Sequence, residues 1–70
     1  MKKAIEFTPT ELKIIKFICK QRSSDEMAGD LELSIRTVEG YRRRILSKMK
    51  VKNVAGLVIF AIKNGLYNIR

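Results

Sequence analysis

Four small polar residues, each standing just before an apolar run of helical period, constrain this chain more than any other feature. Thr8 opens Thr-Pro-Thr-Glu. Its hydroxyl can accept from the backbone three residues on, Glu11 can reach back, and Pro9 suits a first helical position whose N–H has no partner anyway. Ser23 and Glu26 repeat that spacing, with Asp25 and Glu26 favourably placed at a helix's positive end. Ser34 and Asn53 are simpler caps. The spacing predicts helices over about 9–20, 24–31, 35–49 and 54–64, the last stopped by Gly65, which accepts a left-handed backbone. No segment alternates with strand period. The expectation is an all-α, four-helix chain forming one domain over residues 1–70, because a chain this short supplies one modest core at most.

Helical periodicity also predicts the buried faces. Leu12, Ile15, Ile18 and Cys19 share one side of the first helix, with Phe7 free to close over Leu12 as a staple. Met27, Ala28 and Leu31 line the second, and Val38, Tyr41, Ile45 and Met49 the third. The fourth turns Val54, Leu57, Val58, Ala61 and Ile62 inward. Cys19 reads as a small core hydrophobe.

Charge is divided unevenly. The net +8 resides wholly in the second half: all seven acids precede Gly40 and are matched there by seven bases, whereas residues 40–70 hold eight bases and no acid. Such polarity points to a polyanion, nucleic acid before an anionic membrane surface. The most basic helix and the most apolar one are different, which disfavours a membrane-surface helix. No apolar run nears the ~18–20 residues needed to span a bilayer, and the first residues lack the apolar stretch of a secretory signal. A cytoplasmic chain is expected. With no histidine, one cysteine and no glycine-rich phosphate loop, neither an enzyme, a metal site nor any cofactor is expected.

A short capped helix, a turn at Glu32-Leu33-Ser34 and a longer helix with a basic outer face together make a helix-turn-helix. The longer helix would enter a DNA major groove while the shorter crosses the phosphate backbone. Its outer face carries Arg36, Gly40, Arg43 and Ser47, flanked by Glu39, Arg44 and Lys50. Glycine inside a helix costs about 1 kcal/mol relative to alanine, so Gly40 on that face reads as part of a surface that approaches another closely, the alternative being a tolerated surface glycine. Arg42 lies nearer the core edge and is expected to pair with an acid such as Glu11. Glu39 has two readings: an acceptor for cytosine N4, or a helix-supporting partner of Arg43 at i+4.

These pieces together resemble the LuxR-type (NarL/FixJ-type) helix-turn-helix domain. The resemblance rests on TPTE opening the first helix, EMA in the second, LSIRTVEGYRRRIL through the third, KMKVKN as the link and AIKNGL closing the fourth, over residues 7–66. It implies a DNA-reading third helix and dimerisation through the fourth. It also implies base-facing positions at Glu39, Gly40 and Arg43, and backbone contacts from Arg36, Thr37, Arg44, Lys48 and Lys52. In that family a phosphate-receiving or ligand-binding domain usually precedes the module. The chain departs from the pattern at Asp25 and Asp30, where a basic residue is common, at Tyr41 in place of a frequent histidine, and at Gly40, which removes a side chain that often reads a base. A sigma-factor-like promoter-binding domain uses the same motif. A helical protein-interaction domain would instead use the apolar fourth helix.

On the wheel of the fourth helix, Ile59 and Phe60 flank an outward stripe of Gly56 and Lys63. That small patch is expected to mediate a weak homodimer, formed on double-stranded DNA and too small for an obligate interface.

Overall fold

The computed structural model describes residues 6–68. Over them the chain forms α1 (Pro9–Cys19), α2 (Ser24–Leu31), α3 (Ile35–Met49) and α4 (Val54–Lys63). All four start signals act as expected. Thr8 and Ser23 each close a full capping box with Glu11 and Glu26, while Ser34 and Asn53 accept from Thr37 N–H and Gly56 N–H. Each helix N-terminus thus has a side-chain acceptor for one of its orphan donors.

The stops share one geometry that was legible in only one case. A backbone N–H beyond each helix reaches back to a carbonyl five residues earlier: Arg22 to Phe17 at 2.9 Å, Leu33 to Ala28 at 2.9 Å, Val51 to Leu46 at 3.1 Å and Leu66 to Ala61 at 2.7 Å. The residue before each donor is left-handed, namely Gln21 (φ 66°), Glu32 (φ 57°), Lys50 (φ 59°) and Gly65 (φ 73°). This is the Schellman closure, and only the last of the four uses glycine.

α3 packs against each of the other three helices, and α1 also meets α4. The core comprises Ile14, Ile15 and Ile18 of α1, Met27 and Ala28 of α2, Val38, Ile45 and Met49 of α3, and Leu57 and Ala61 of α4. Two expected faces are rotated from prediction. On α1, Ile14 is fully buried, whereas Leu12 and Cys19 lie at the edge of the core. Cys19 packs against that core, and burial raises its thiol pKa. On α4, Val54 and Ile62 are exposed at 37% and 38%, while Phe60 is partly buried against the core. Its ring meets that of Phe7, just before α1, edge-on with 6.5 Å between centroids.

Glu11 is the one buried charged residue among those described. Its Oε1 accepts from Thr8 N–H at 2.9 Å and from the Lys48 ammonium at 2.9 Å. Lys48 also donates to the Glu6 carbonyl at 2.7 Å and lies 4.9 Å above the centre of the Phe7 ring. Burial alone would raise the Glu11 carboxyl pKa. The Thr8 hydrogen bond and the Lys48 ammonium, with a contribution from Arg44, outweigh burial and hold it below the usual value.

A lowered native pKa stabilises the fold above the ordinary Glu value of about 4.3, and that stability is lost as pH falls through the lowered value. Lys48→Met leaves the carboxylate buried without its cation. It should cost about 1–3 kcal/mol near pH 7. In that variant burial is less opposed, so protonation relieves the defect. The gap to the parent in urea denaturation should therefore narrow at about pH 3.5, below the ordinary Glu value. An equal gap at both pH values would mean the loss is one of packing alone.

Candidate nucleic-acid interface

α2, the turn and α3 form a helix-turn-helix in which Met27, Ala28 and Val38 are buried. α3 starts sharply at Ser34, whose hydroxyl lies 2.9 Å from that of Thr37. From there successive turns carry Arg36, Gly40, Arg43 and Ser47 along one side, roughly 100° being turned per residue. Arg36, Arg43 and Ser47 are exposed, and a Cβ built on Gly40 meets nothing within 4 Å. Arg36 and Arg43 make no hydrogen bond or ion pair with any described residue. Seven residues separate them, about 10 Å of helix, which suits a groove about 12 Å wide. Arg44 is exposed, its guanidinium 5.2 Å from the centre of the Tyr41 ring. Tyr41 is half-buried and packs on the core. Lys52 stands exposed in the link after α3.

Three expected side chains have other partners. Lys48 is engaged by Glu11, Glu6 and Phe7. Seven positions from Tyr41, it falls on the inner side of α3, facing the start of α1, and its ammonium is held there instead of standing free for a phosphate. Arg42 does not reach Glu11. It lies well before Lys48 on α3 and on the side toward α2, where its Nη1 donates to Ser24 Oγ at 3.1 Å. Glu39 accepts from Ser24 Oγ and makes no ion pair with Arg43 among the described residues. Ser24 thus joins α2 to two α3 side chains, a role sequence reasoning missed. Its only trace in the sequence is a second serine beside the cap.

On α4 the four positions expected at an interface fall together around a shallow depression lined by Val51, Gly56, Ile59, Phe60, Lys63 and Asn64. Ile59 is the most exposed large apolar residue described, at 59%. Phe60 contributes part of its ring to the Phe7 contact. Gly56 has an intramolecular reason: a Cβ there would lie 2.9 Å from Val51 Cβ, so the bare backbone lets the link after α3 fold against α4. No helix is long and apolar enough to cross a membrane, and the described residues contain no cluster of metal-ligating side chains.

Fold and face together define a helix-turn-helix DNA-binding domain. The family described as "Bacterial regulatory proteins, luxR family" matches residues 6–61. The chain belongs to that family, as the sequence motifs implied. It is 37% identical over 62 residues, 89% of its length, to the "Probable transcriptional regulator ycf29" of Cyanophora paradoxa, covering 30% of that protein. It is 38% identical over 58 residues, 83% of its length, to the "Response regulator UvrY" of Escherichia coli, covering 27% of it. Among solved structures it superposes on the phage VqmA–DPO complex with a TM-score of 0.85 at 27% identity, covering 100% of this chain and 32% of that one. The chain therefore spans about 30% of the length of the first of these curated relatives.

The two glycines make opposite predictions. Gly40→Ala adds a Cβ in open space and should stabilise the fold by about 0.5–1 kcal/mol. Gly56→Ala gains the same helix propensity but forces Val51, whose Cβ is tied to the backbone and cannot swing aside. Net destabilisation of about 1 kcal/mol or more is expected from the overpacking. Thermal or urea unfolding of both variants tests the pair.

Proposed function

We propose that this chain binds duplex DNA with sequence preference, as the output module of a bacterial transcription regulator. α3 lies in the major groove with Glu39, Gly40 and Arg43 toward the bases, while Arg36, Thr37, Arg44 and Lys52 contact the phosphate backbone. The observation that carries this reading is one side of α3: two exposed arginines without a partner among the described residues flank a glycine whose outer side is open. Side chains on such a face need not break internal contacts to meet a ligand. Arginine's planar fork suits guanine O6 and N7, or a phosphate. Lys48 contributes positive potential, with two of its three donors engaged by Glu6 and Glu11. A regulator of this kind would act in the cytoplasm, and the reading includes no catalysis and no cofactor.

The relatives' greater length supports a second part outside this chain, a phosphate-receiving or ligand-binding domain. Two copies meet weakly through α4, where Ile59 and Lys63 stand exposed beside the depression edged by Gly56 and Phe60. A patch this small is far below the ~2,000 Å² of obligate dimers, so pairing occurs on DNA, or when an attached domain raises local concentration.

Arg43→Ala should weaken binding to a selected operator by about 1–3 kcal/mol with the fold intact, and Gly40→Ala should weaken it while stabilising the chain. If two protomers together neutralise about six to eight phosphates, the log–log salt dependence should have a slope of roughly −5 to −7. Lys13→Ala, on α1, should change little. Parent-like affinity for Arg43→Ala, with binding lost in Lys13→Ala, would move the docking face to α1.

Ile59→Glu should leave helicity and half-site binding nearly unchanged and remove cooperative binding to a two-half-site operator. Cooperativity that survives the charge would place the protomer contact elsewhere.

A further inference from the structure

The side chains between α2 and α3 form a directed chain of hydrogen bonds. Arg42 Nη1 donates to Ser24 Oγ at 3.1 Å. The serine's single proton is then left for Glu39 Oε2, which accepts it. The polarity cannot reverse, because a guanidinium only donates and an ionised carboxylate only accepts. A hydroxyl polarised by a cation on one side and an anion on the other makes a stronger link than an isolated one. Glu39 is exposed, yet one of its oxygens is fixed to α2, and its Oε1 has no partner among the described residues.

A free glutamate on a groove-facing helix samples many rotamers and must be ordered on binding. Anchoring one oxygen sets the direction of the other. An anchored carboxylate accepts one donor from a base edge and repels acceptors, so it favours a cytosine N4 amino group, disfavours the oxygens of guanine and thymine, and suits adenine less because the N7 acceptor lies beside its N6 amino group.

We propose that Ser24 is a specificity-determining positioning residue: from the first turn of α2 it holds the Glu39 carboxylate in the orientation that reads a cytosine on the groove edge. The inference rests on the DNA-binding reading above and deepens it. Ser24 touches no base. It acts through Glu39, with Arg42 fixing the direction of its hydroxyl.

The experiment takes the chain and its Glu39→Ala, Ser24→Ala and Ser24→Thr variants. The parent first selects a preferred site from a randomised duplex pool, and each base pair of that site is then varied in competition titrations. Ser23 still caps α2 in every variant, so circular dichroism should show parent-like helicity. Glu39→Ala should lose about tenfold discrimination at one C·G pair. Ser24→Ala should lose most of it at the same pair while other positions keep theirs. Ser24→Thr, which retains the hydroxyl, should restore it. If Ser24→Ala keeps the preference that Glu39→Ala loses, the inference is wrong. It is equally wrong if Ser24→Ala weakens all duplexes alike, since Ser24 would then only touch phosphate. A parent that selects no sequence would overturn the DNA-binding reading itself, before any variant is compared.

Discussion

The buried Glu11 carboxylate is the point on which the domain's geometry turns. One oxygen closes the capping box of α1 and accepts the Lys48 ammonium from the last turn of α3. That ammonium also holds the Glu6 carbonyl and lies over Phe7, which in turn packs on Phe60 of α4. The start of α1, the end of α3 and the middle of α4 are thereby joined by one acid and one base. The buried carboxylate would be costly without the half-buried ammonium beside it. Apolar packing gives α3 a side to bury but little to fix its position along its own axis. A directed ion pair at one end supplies that fixed point.

With its far end fixed, α3 is tied to α2 near its middle. There the contact is Ser24, reached by Arg42 and Glu39. α3 is thus held by polar contacts at its middle and its far end, and by Val38, Ile45 and Met49 along its inner side. Its outer side carries only groups that the fold does not use. Separation of the two kinds of cation follows from position on the helix: Arg42 and Lys48 fall toward neighbours that can accept, while Arg36 and Arg43 have no acceptor among the described residues.

Much of this was legible in the sequence, and the limits have physical causes. Helix starts were legible because a cap is a local event involving residues three apart, as Thr8–Glu11 and Ser23–Glu26 show. The helix stops also fall within a residue of expectation, but their closing geometry was not legible, because Gln21, Glu32 and Lys50 adopt the left-handed region that only Gly65 advertises. The outer face of α3 was legible because exposure follows periodicity. Polar partners across helices were not: the sequence offered Arg42 for Glu11, but reach along the helix axis gave that acid to Lys48 and sent Arg42 to Ser24. The rotation of α4 has a similar origin. Phe7 lies outside any helix, so the periodicity of α4 could not foresee that Phe60 would have its ring as a partner.

Gly40 and Gly56 show why a glycine in a helix needs its surroundings before it has a meaning. Both forgo the same propensity. At Gly56 the return is inside the molecule, since Val51 occupies the space a side chain would take and the link after α3 can fold tightly against α4. At Gly40 no neighbour occupies that space, so the fold itself gains nothing from the missing Cβ. On the DNA-binding reading proposed above, the bare position answers a requirement from outside the chain. Gly40 lies between Arg36 and Arg43, and a surface that two cations flank and a bare backbone approaches fits the floor and phosphate walls of a DNA groove better than the face of another protein.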